Sequence, residues 1–311
     1  MMSLRYHVVS IAAILLALAL GVVLGASALS GRVLGALTTD RDELAGQVVA
    51  LRGDRAAVDT RLQATERLVA AGATSTVAGV LPGRRVAVVA APGADPADVA
   101  TVSELVTRAG GRVTGRLALT DAALAPDRAD ALRALVPRLL PAGAQLPTTT
   151  DTGALTGSLL GSLLVARPGG MDEQTTGPEA RTALQALSEA GYVEAPDALE
   201  PSPGELALVV TGGGGESVGH DPARDSTLAR MTGELDRVGA GAVLAGRTGS
   251  GAVTAVRNDS ALRSGLSTVD GLEGPSSQVA TVLALREQAD GRTGLYGPVA
   301  GTFTPQTAPA P

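Results

Sequence analysis

Cysteine is absent from the 311 residues, which excludes disulfides, thiolate metal sites and a cysteine nucleophile. Lysine is absent too, so all 25 basic residues are Arg, a pattern we read as a base-composition bias of the genome. Aromatic residues make up 1% of the chain, with no Trp, so a core must be built from Ala, Val and Leu, within an apolar content of 45%. The net charge is −6 and no basic patch is interleaved with aromatics, which argues against a nucleic-acid partner.

What the chain has instead is a run without charge. Val8 to Leu29, VVSIAAILLALALGVVLGASAL, would form a helix roughly 33 Å long against roughly 30 Å of bilayer hydrocarbon. A retained membrane anchor is the first reading. A cleaved signal peptide is the second, because Ala26-Ser27-Ala28 resembles an A-x-A cleavage site, although the run exceeds the usual signal core. A buried core helix would keep a polar face, and this run has none. Arg5 before the run and Arg32 and Arg41 after it do not decide orientation. The short N-terminal side makes a single-pass cell-membrane protein with an extracytoplasmic C-terminal domain the simpler expectation.

A heptad pattern follows. Leu34, Arg41, Val48, Arg55, Leu62 and Val69 occupy one set of positions, and Leu37, Leu44, Leu51, Val58 and Thr65 the other; eight of the eleven are apolar. These a and d positions predict a coiled coil roughly 54 Å long, with a homodimer as the expected assembly. Arg41 and Arg55 weaken the seam, and Gly46 and Gly53 each cost about 1 kcal/mol of helix propensity relative to Ala. An amphipathic helix packed on its own domain is the alternative.

Gly72 to Gly83 reads as a small-residue linker. Arg85–Ala90 is then a strand, Asp95 an N-cap with Pro96 in the first helical turn, Gly110 a helix stop, and Arg112–Leu119 a second strand. This is a βαβ unit with a parallel pair. Helices are expected over Asp127–Leu139, ended or interrupted near Pro137, and over Thr152–Val165, Glu179–Ala190, Pro222–Val238 and Gln278–Ala289, the last with VATVLAL readable as a strand instead. Strands are expected over Leu206–Thr211 and Ala242–Ala245, with weaker signals at Val253–Val256 and Leu266–Val269. The alternation predicts an α/β chain: a transmembrane helix (1–31), a coiled-coil helix (32–78), a layered, Rossmann-like α/β domain (79–303) and a disordered tail (304–311).

The opening SLRYHVVSIAAILLALALGVVLG, LPAGAQL at Leu140–Leu146, VVTGG at Val209–Gly213, LAGR at Leu244–Arg247, STVDGL at Ser267–Leu272, and VLAL followed by GLYG at Gly294–Gly297 together resemble the actinobacterial copper transporter family of MctB-like proteins. The similarity runs almost from end to end. It implies a membrane-associated envelope protein serving copper efflux or homeostasis, assigned in some members to the outer membrane, with copper as transported species rather than cofactor. It also implies a second role, that of the SteB-type scaffolds of corynebacteria. These are anchored coiled-coil proteins acting with an envelope or cell-division partner in controlling peptidoglycan hydrolases.

Copper prefers thiolate, thioether and imidazole ligands. Beyond the anchor region the candidates are Met171, Met231 and His220. On one helix His220 and Met231 would stand roughly 16 Å apart, too far to share an ion. Met side chains that fill core space and a loop histidine explain the three as well. The residues also lack successive alternating segments of about ten residues, so no barrel is expected. Thr211-Gly-Gly-Gly-Gly215 after a strand lacks both the GK[ST] ending and G-x-G-x-x-G spacing, so a loop at the sheet's carboxyl edge is expected rather than a phosphate cradle. Gly215-Glu-Ser-Val-Gly219 matches a nucleophile elbow in letters only: four glycines separate the serine from the strand, and no His follows His220 to complete a hydrolase triad. The carboxylates Asp197, Glu200, Asp221 and Asp225 form no evident acid/base pair. The expectation is a protein without enzymatic activity and without assigned catalytic, cofactor or metal residues.

Overall fold

The computed structural model describes residues 4–165, 177–194, 203–214 and 221–300. By contacts the chain forms two units, residues 1–65 and 66–311. The first unit is helix α1, Leu4–Val77, whose last turns belong to the second. Within α1, Tyr6–Leu24 is long and apolar enough to cross a membrane, with mean hydropathy 2.6, and none of it is buried.

The second unit is a parallel sheet between two helical layers. In chain order it contains β1 (Arg85–Ala90), α2 (Pro96–Arg108), β2 (Arg112–Ala118), α3 (Asp121–Leu124), a 3-10 turn at Pro126–Arg128, α4 (Ala129–Leu139), α5 (Thr152–Leu164), α6 (Gly177–Glu189) and β3 (Leu206–Thr211). It continues with α7 (Pro222–Val238), β4 (Ala242–Gly246), α8 (Gly251–Asn258), α9 (Ser260–Gly265), β5 (Ser267–Val269), α10 (Pro275–Ala289) and β6 (Leu295–Tyr296). The strand order is β2-β1-β3-β4-β5-β6, with every neighbouring pair parallel. This is the 2-1-3-4-5 order of doubly wound sheets with one strand added, rather than the 3-2-1-4-5-6 order of the Rossmann type.

Burial on both faces explains why the strands read as continuous apolar runs. In β3 all six residues are buried. Ala207 and Val209 face the layer of α3 to α8, while Leu206, Leu208 and Val210 face α2, α10 and the end of α1. The period of two along a strand assigns neighbouring residues to opposite cores.

The apolar Thr152–Leu164 segment is a core helix, as expected from its length. Gly153, Gly157 and Gly161 recur every four residues on the side that meets α7. A Cβ at Gly157 would collide with the backbone of Met231, so the glycine stripe is what lets the two helices approach.

Two expectations are corrected. The stretch taken as a linker from Gly72 is helical through Val77, and Ala73, Val77 and Leu81 are buried in the core beside α2 and α10. Glu66, on the same end of α1, accepts from the Ser276 N–H at 3.4 Å and the Ser276 hydroxyl at 3.2 Å. It thereby supplies the N-terminus of α10 with a carboxylate where Gly274 offers no side-chain cap. Small residues signal a loop only where nothing packs on them, and here apolar side chains at the right spacing meet a core. Val253–Val256, expected as a strand, lies in α8, which Ser250 caps through the Val253 N–H. A four-residue apolar run carries no period that separates strand from helix. The tail from Thr304 and the loop Gly215–Gly219 lie outside the described residues.

Near the end of α7, Asp236 accepts from the Ala242 N–H at 2.8 Å and so ties the helix to the start of β4. Burial raises its pKa from 3.8 to about 6, partly opposed by that hydrogen bond. A carboxyl with a raised folded pKa favours the folded state while protonated, and that advantage is lost as the pH rises. Stability should therefore fall between pH 3.8 and about 6, by on the order of 3 kcal/mol if this group acted alone. Asp236→Asn keeps an oxygen for Ala242 but carries no charge. Thermal melts from pH 4 to 7 should show a flatter dependence and a higher melting temperature at pH 7 for this variant; a dependence identical to wild type would contradict the assignment.

Candidate functional site at the carboxyl edge of the sheet

The chain leaves β1 for β2 on one side and returns to β3 on the other, so the order reverses between β1 and β3. In doubly wound sheets the crevice beyond the strand ends at this point is the usual ligand position. Here it measures about 550 Å³ and is lined by the loops after β1, β3, β4 and β5, through Gly93, Asp95, Gly213, Arg247, Thr248 and Glu273.

The crevice is cross-tied. Asp95 caps α2 by accepting from the Ala97 N–H at 2.8 Å, and its second oxygen accepts from the Arg247 Nη2 at 2.5 Å. Asp98, on the first turn of α2 and buried, accepts from the Arg247 Nε at 2.6 Å. Led by the Asp98 hydrogen bond, these carboxylates raise the Arg247 pKa further, so the guanidinium stays charged. From the next loop, Glu273 accepts from both the Thr248 N–H, at 3.1 Å, and the Thr248 hydroxyl, at 2.5 Å.

The glycine run after β3 is part of this closure. An added Cβ at Gly212, Gly213 or Gly214 would lie closer than 3.0 Å to the carbonyl oxygen of Gly93, Thr248 or Gly249 respectively. These glycines let backbone lie on backbone. The described part of the run is therefore a packed junction between three loops, not an open cradle. With Asp95 and Asp98 paired to the Arg247 guanidinium and the Glu273 carboxylate nearby, the crevice also has the wrong charge for a phosphate.

The sequence pieces quoted above divide by place. VVTGG ends at Gly213, LAGR ends at Arg247, and STVDGL leads into Glu273, so three pieces distant in the chain meet at this crevice. LPAGAQL packs elsewhere: Leu140 and Leu146 lie against the α3-to-α8 core, and the Gln145 carbonyl accepts from the Ser158 hydroxyl. VLAL lies on α10, and GLYG carries the edge strand β6, where the Tyr296 hydroxyl donates to the Glu287 carboxylate. Burial raises the Glu287 pKa.

Of the metal candidates, Met231 is fully buried on α7 against the glycine stripe of α5, a packing position. Met171 and His220 lie outside the described residues, as do Asp197 and Glu200. Among the described residues no three His, Cys, Asp or Glu side chains form a group that could hold a metal ion. Asp221 caps α7 through the Ala223 N–H and pairs with Arg224. Asp225, one turn on, lies in the first turn of the same helix.

Sequence reasoning did not single out a second tie, the ion pair between Arg257 on α8 and Asp270 after β5. The Nη2–Oδ1 distance is 2.6 Å, with the side chains 14% and 3% exposed. Arg257 also donates to the Thr268 hydroxyl and the Tyr296 carbonyl, and the second Asp270 oxygen accepts from the Val299 N–H. One buried pair thus holds β5, β6 and α8 together. An aspartate directly after the short buried strand in STVDGL was the available signal.

Among the described residues one helix is long and apolar enough to span a membrane, and the chain continues into a doubly wound domain whose carboxyl edge is cross-tied by ion pairs, which describes a membrane-associated protein. The chain belongs to the MctB family: the family model described as "Copper transport outer membrane protein, MctB" matches residues 1–305. Relatives named Copper transporter MctB from Mycobacterium tuberculosis and Mycobacterium bovis are 33% identical over 305 residues, and that from Mycobacterium leprae is 34% identical over 310. Each alignment covers 96% of both chains. The family is one of transporters, not of enzymes.

Removing one partner of a buried ion pair strands the other charge, at a cost of about 3–5 kcal/mol. Arg257→Ala and Asp270→Ala should each destabilise the domain by about that much in urea titrations, and the double variant by clearly less than the sum of the two. Additive losses would show that the two side chains act separately.

Proposed function

We propose that this chain serves copper efflux or homeostasis as a retained, single-pass membrane protein with its parallel-sheet domain on the extracytoplasmic side. In this reading it acts as a coiled-coil homodimer that presents the head to a protein partner, with an anchor (1–31), a rod (32–78), a head (79–303) and a tail (304–311). The end-to-end similarity to relatives named copper transporters carries the copper assignment. The family's description extends this reading to the outer membrane.

Two features favour an assembly role over direct conduction. Among the described residues Tyr6–Leu24 is the one helix long and apolar enough to span. Two such helices side by side enclose no water, and an ion in hydrocarbon without a polar path is costly. Copper-binding groups are scarce as well: there is no Cys, and Met231 is sealed in the core. The scaffold reading, in which the rod and head hold a regulator of peptidoglycan hydrolases, rests on a separate observation. Between Leu44 and Leu68 the large apolar residues Leu44, Val48, Leu51, Val58 and Leu62 are exposed on the a and d positions. Such a stripe fits a partner helix.

A deletion strain grown on graded copper is the test. It should accumulate intracellular copper and stop growing at lower copper than wild type, with both effects reversed by the intact gene. Unchanged copper content and tolerance, together with altered cell-wall hydrolysis, would replace the copper assignment with the scaffold one.

A further inference from the structure

Arg55 sits in the middle of the exposed apolar stripe, where an unpaired charge would oppose association. It occupies an a position, with Asp54 before it at g and Asp59 after it at e. Within one chain its Nε lies 3.9 Å from Asp59, and the two side chains remain 85% and 58% exposed, so the guanidinium is largely unused. The sequence has the same step two heptads earlier, with Asp40 at g and Arg41 at a.

We propose that the partner of this stripe is a second copy of the chain, parallel and in register, and that the Arg55 layer with Asp54 and Asp59 sets this register. The inference rests on the two-chain reading above. In a parallel pair, a faces a′ and each g residue approaches the partner's e residue in the following heptad. Asp54 would then approach Asp59 of the partner, carboxylate against carboxylate, while Arg55 would face a second Arg55. Each contact is unfavourable alone. Together they place two guanidiniums among four carboxylates, and each repulsion is relieved by the other. In an antiparallel pair, a faces d′, so Arg55 would meet an apolar residue such as Leu51 or Val58. A slip of one heptad would set Arg55 against Val48 or Leu62 and carry Asp54 and Asp59 away from each other, toward the partner's Arg52 and Arg61, so the layer that accommodates the Arg55 pair is lost. Exposed ion pairs contribute little to stability, but a charge at a seam position selects among pairings because the wrong ones strand it.

The absence of cysteine makes the register readable in the full chain, held in detergent micelles or lipid nanodiscs. Leu44→Cys and Leu62→Cys each place one thiol on the seam, near opposite ends of the stripe. Under mild oxidation each variant alone should form a disulfide-linked dimer, and Val49→Cys, at an outward b position, should not. In an antiparallel dimer Leu44→Cys and Leu62→Cys would link when mixed and not alone, which would overturn this inference while leaving a dimer in place. A monomer mass by light scattering would instead remove the two-chain reading itself. Arg55→Asp should weaken dimerisation at least tenfold, and mixing it with the Asp54→Arg, Asp59→Arg chain should recover the dimer. Undiminished dimerisation of Arg55→Asp would show that the charge layer sets nothing.

Discussion

The N-terminal helix carries an apolar surface that cannot remain in water. Between Val8 and Leu24 eleven Val, Ile and Leu side chains are more than half exposed. Leaving a large aliphatic side chain exposed forgoes about 1.5–3 kcal/mol, so the segment as a whole amounts to on the order of 20 kcal/mol. That exceeds the net stability of a typical domain, about 5–15 kcal/mol. No adjustment elsewhere in the fold could offset it, and a bilayer removes it directly.

The parallel-sheet domain is built with the opposite logic. Its carboxyl edge, the position where doubly wound sheets commonly hold ligands, is cross-tied by the protein's own groups. Arg247 spans from β4 to the first turn of α2, Glu273 holds Thr248, and three glycines let the loops touch through their backbones. The buried Arg257–Asp270 pair does similar work at the β6 edge. A head knitted in this way is suited to presenting a fixed surface.

Local signals in the sequence were enough for much of this fold. The strands at Arg85–Ala90 and Leu206–Thr211 and the caps at Asp95 and Asp221 depend on neighbouring residues, and they stand where those residues put them. The short apolar run at Val253 misled because four residues carry no period, and the small residues after Gly72 misled because their partners lie far along the chain. The site itself was least legible. Arg247 meets Asp98 and Asp95 across 149 and 152 positions, and spacing along a chain says nothing about such a meeting until the sheet order is known. The glycine run was visible, but its part in closing the crevice is a matter of which carbonyls it approaches.

In the proposed assembly the membrane helix is an anchor and nothing more. Replacing residues 6–24 with an unrelated single-span helix of the same length, and returning the gene to a deletion strain, tests that claim most directly. The readout is intracellular copper under copper load. If the span only anchors, the chimera should restore copper to the level reached with the wild-type gene. A chimera that reaches the membrane in equal amount and leaves copper elevated would show that the native helix itself takes part in moving the ion.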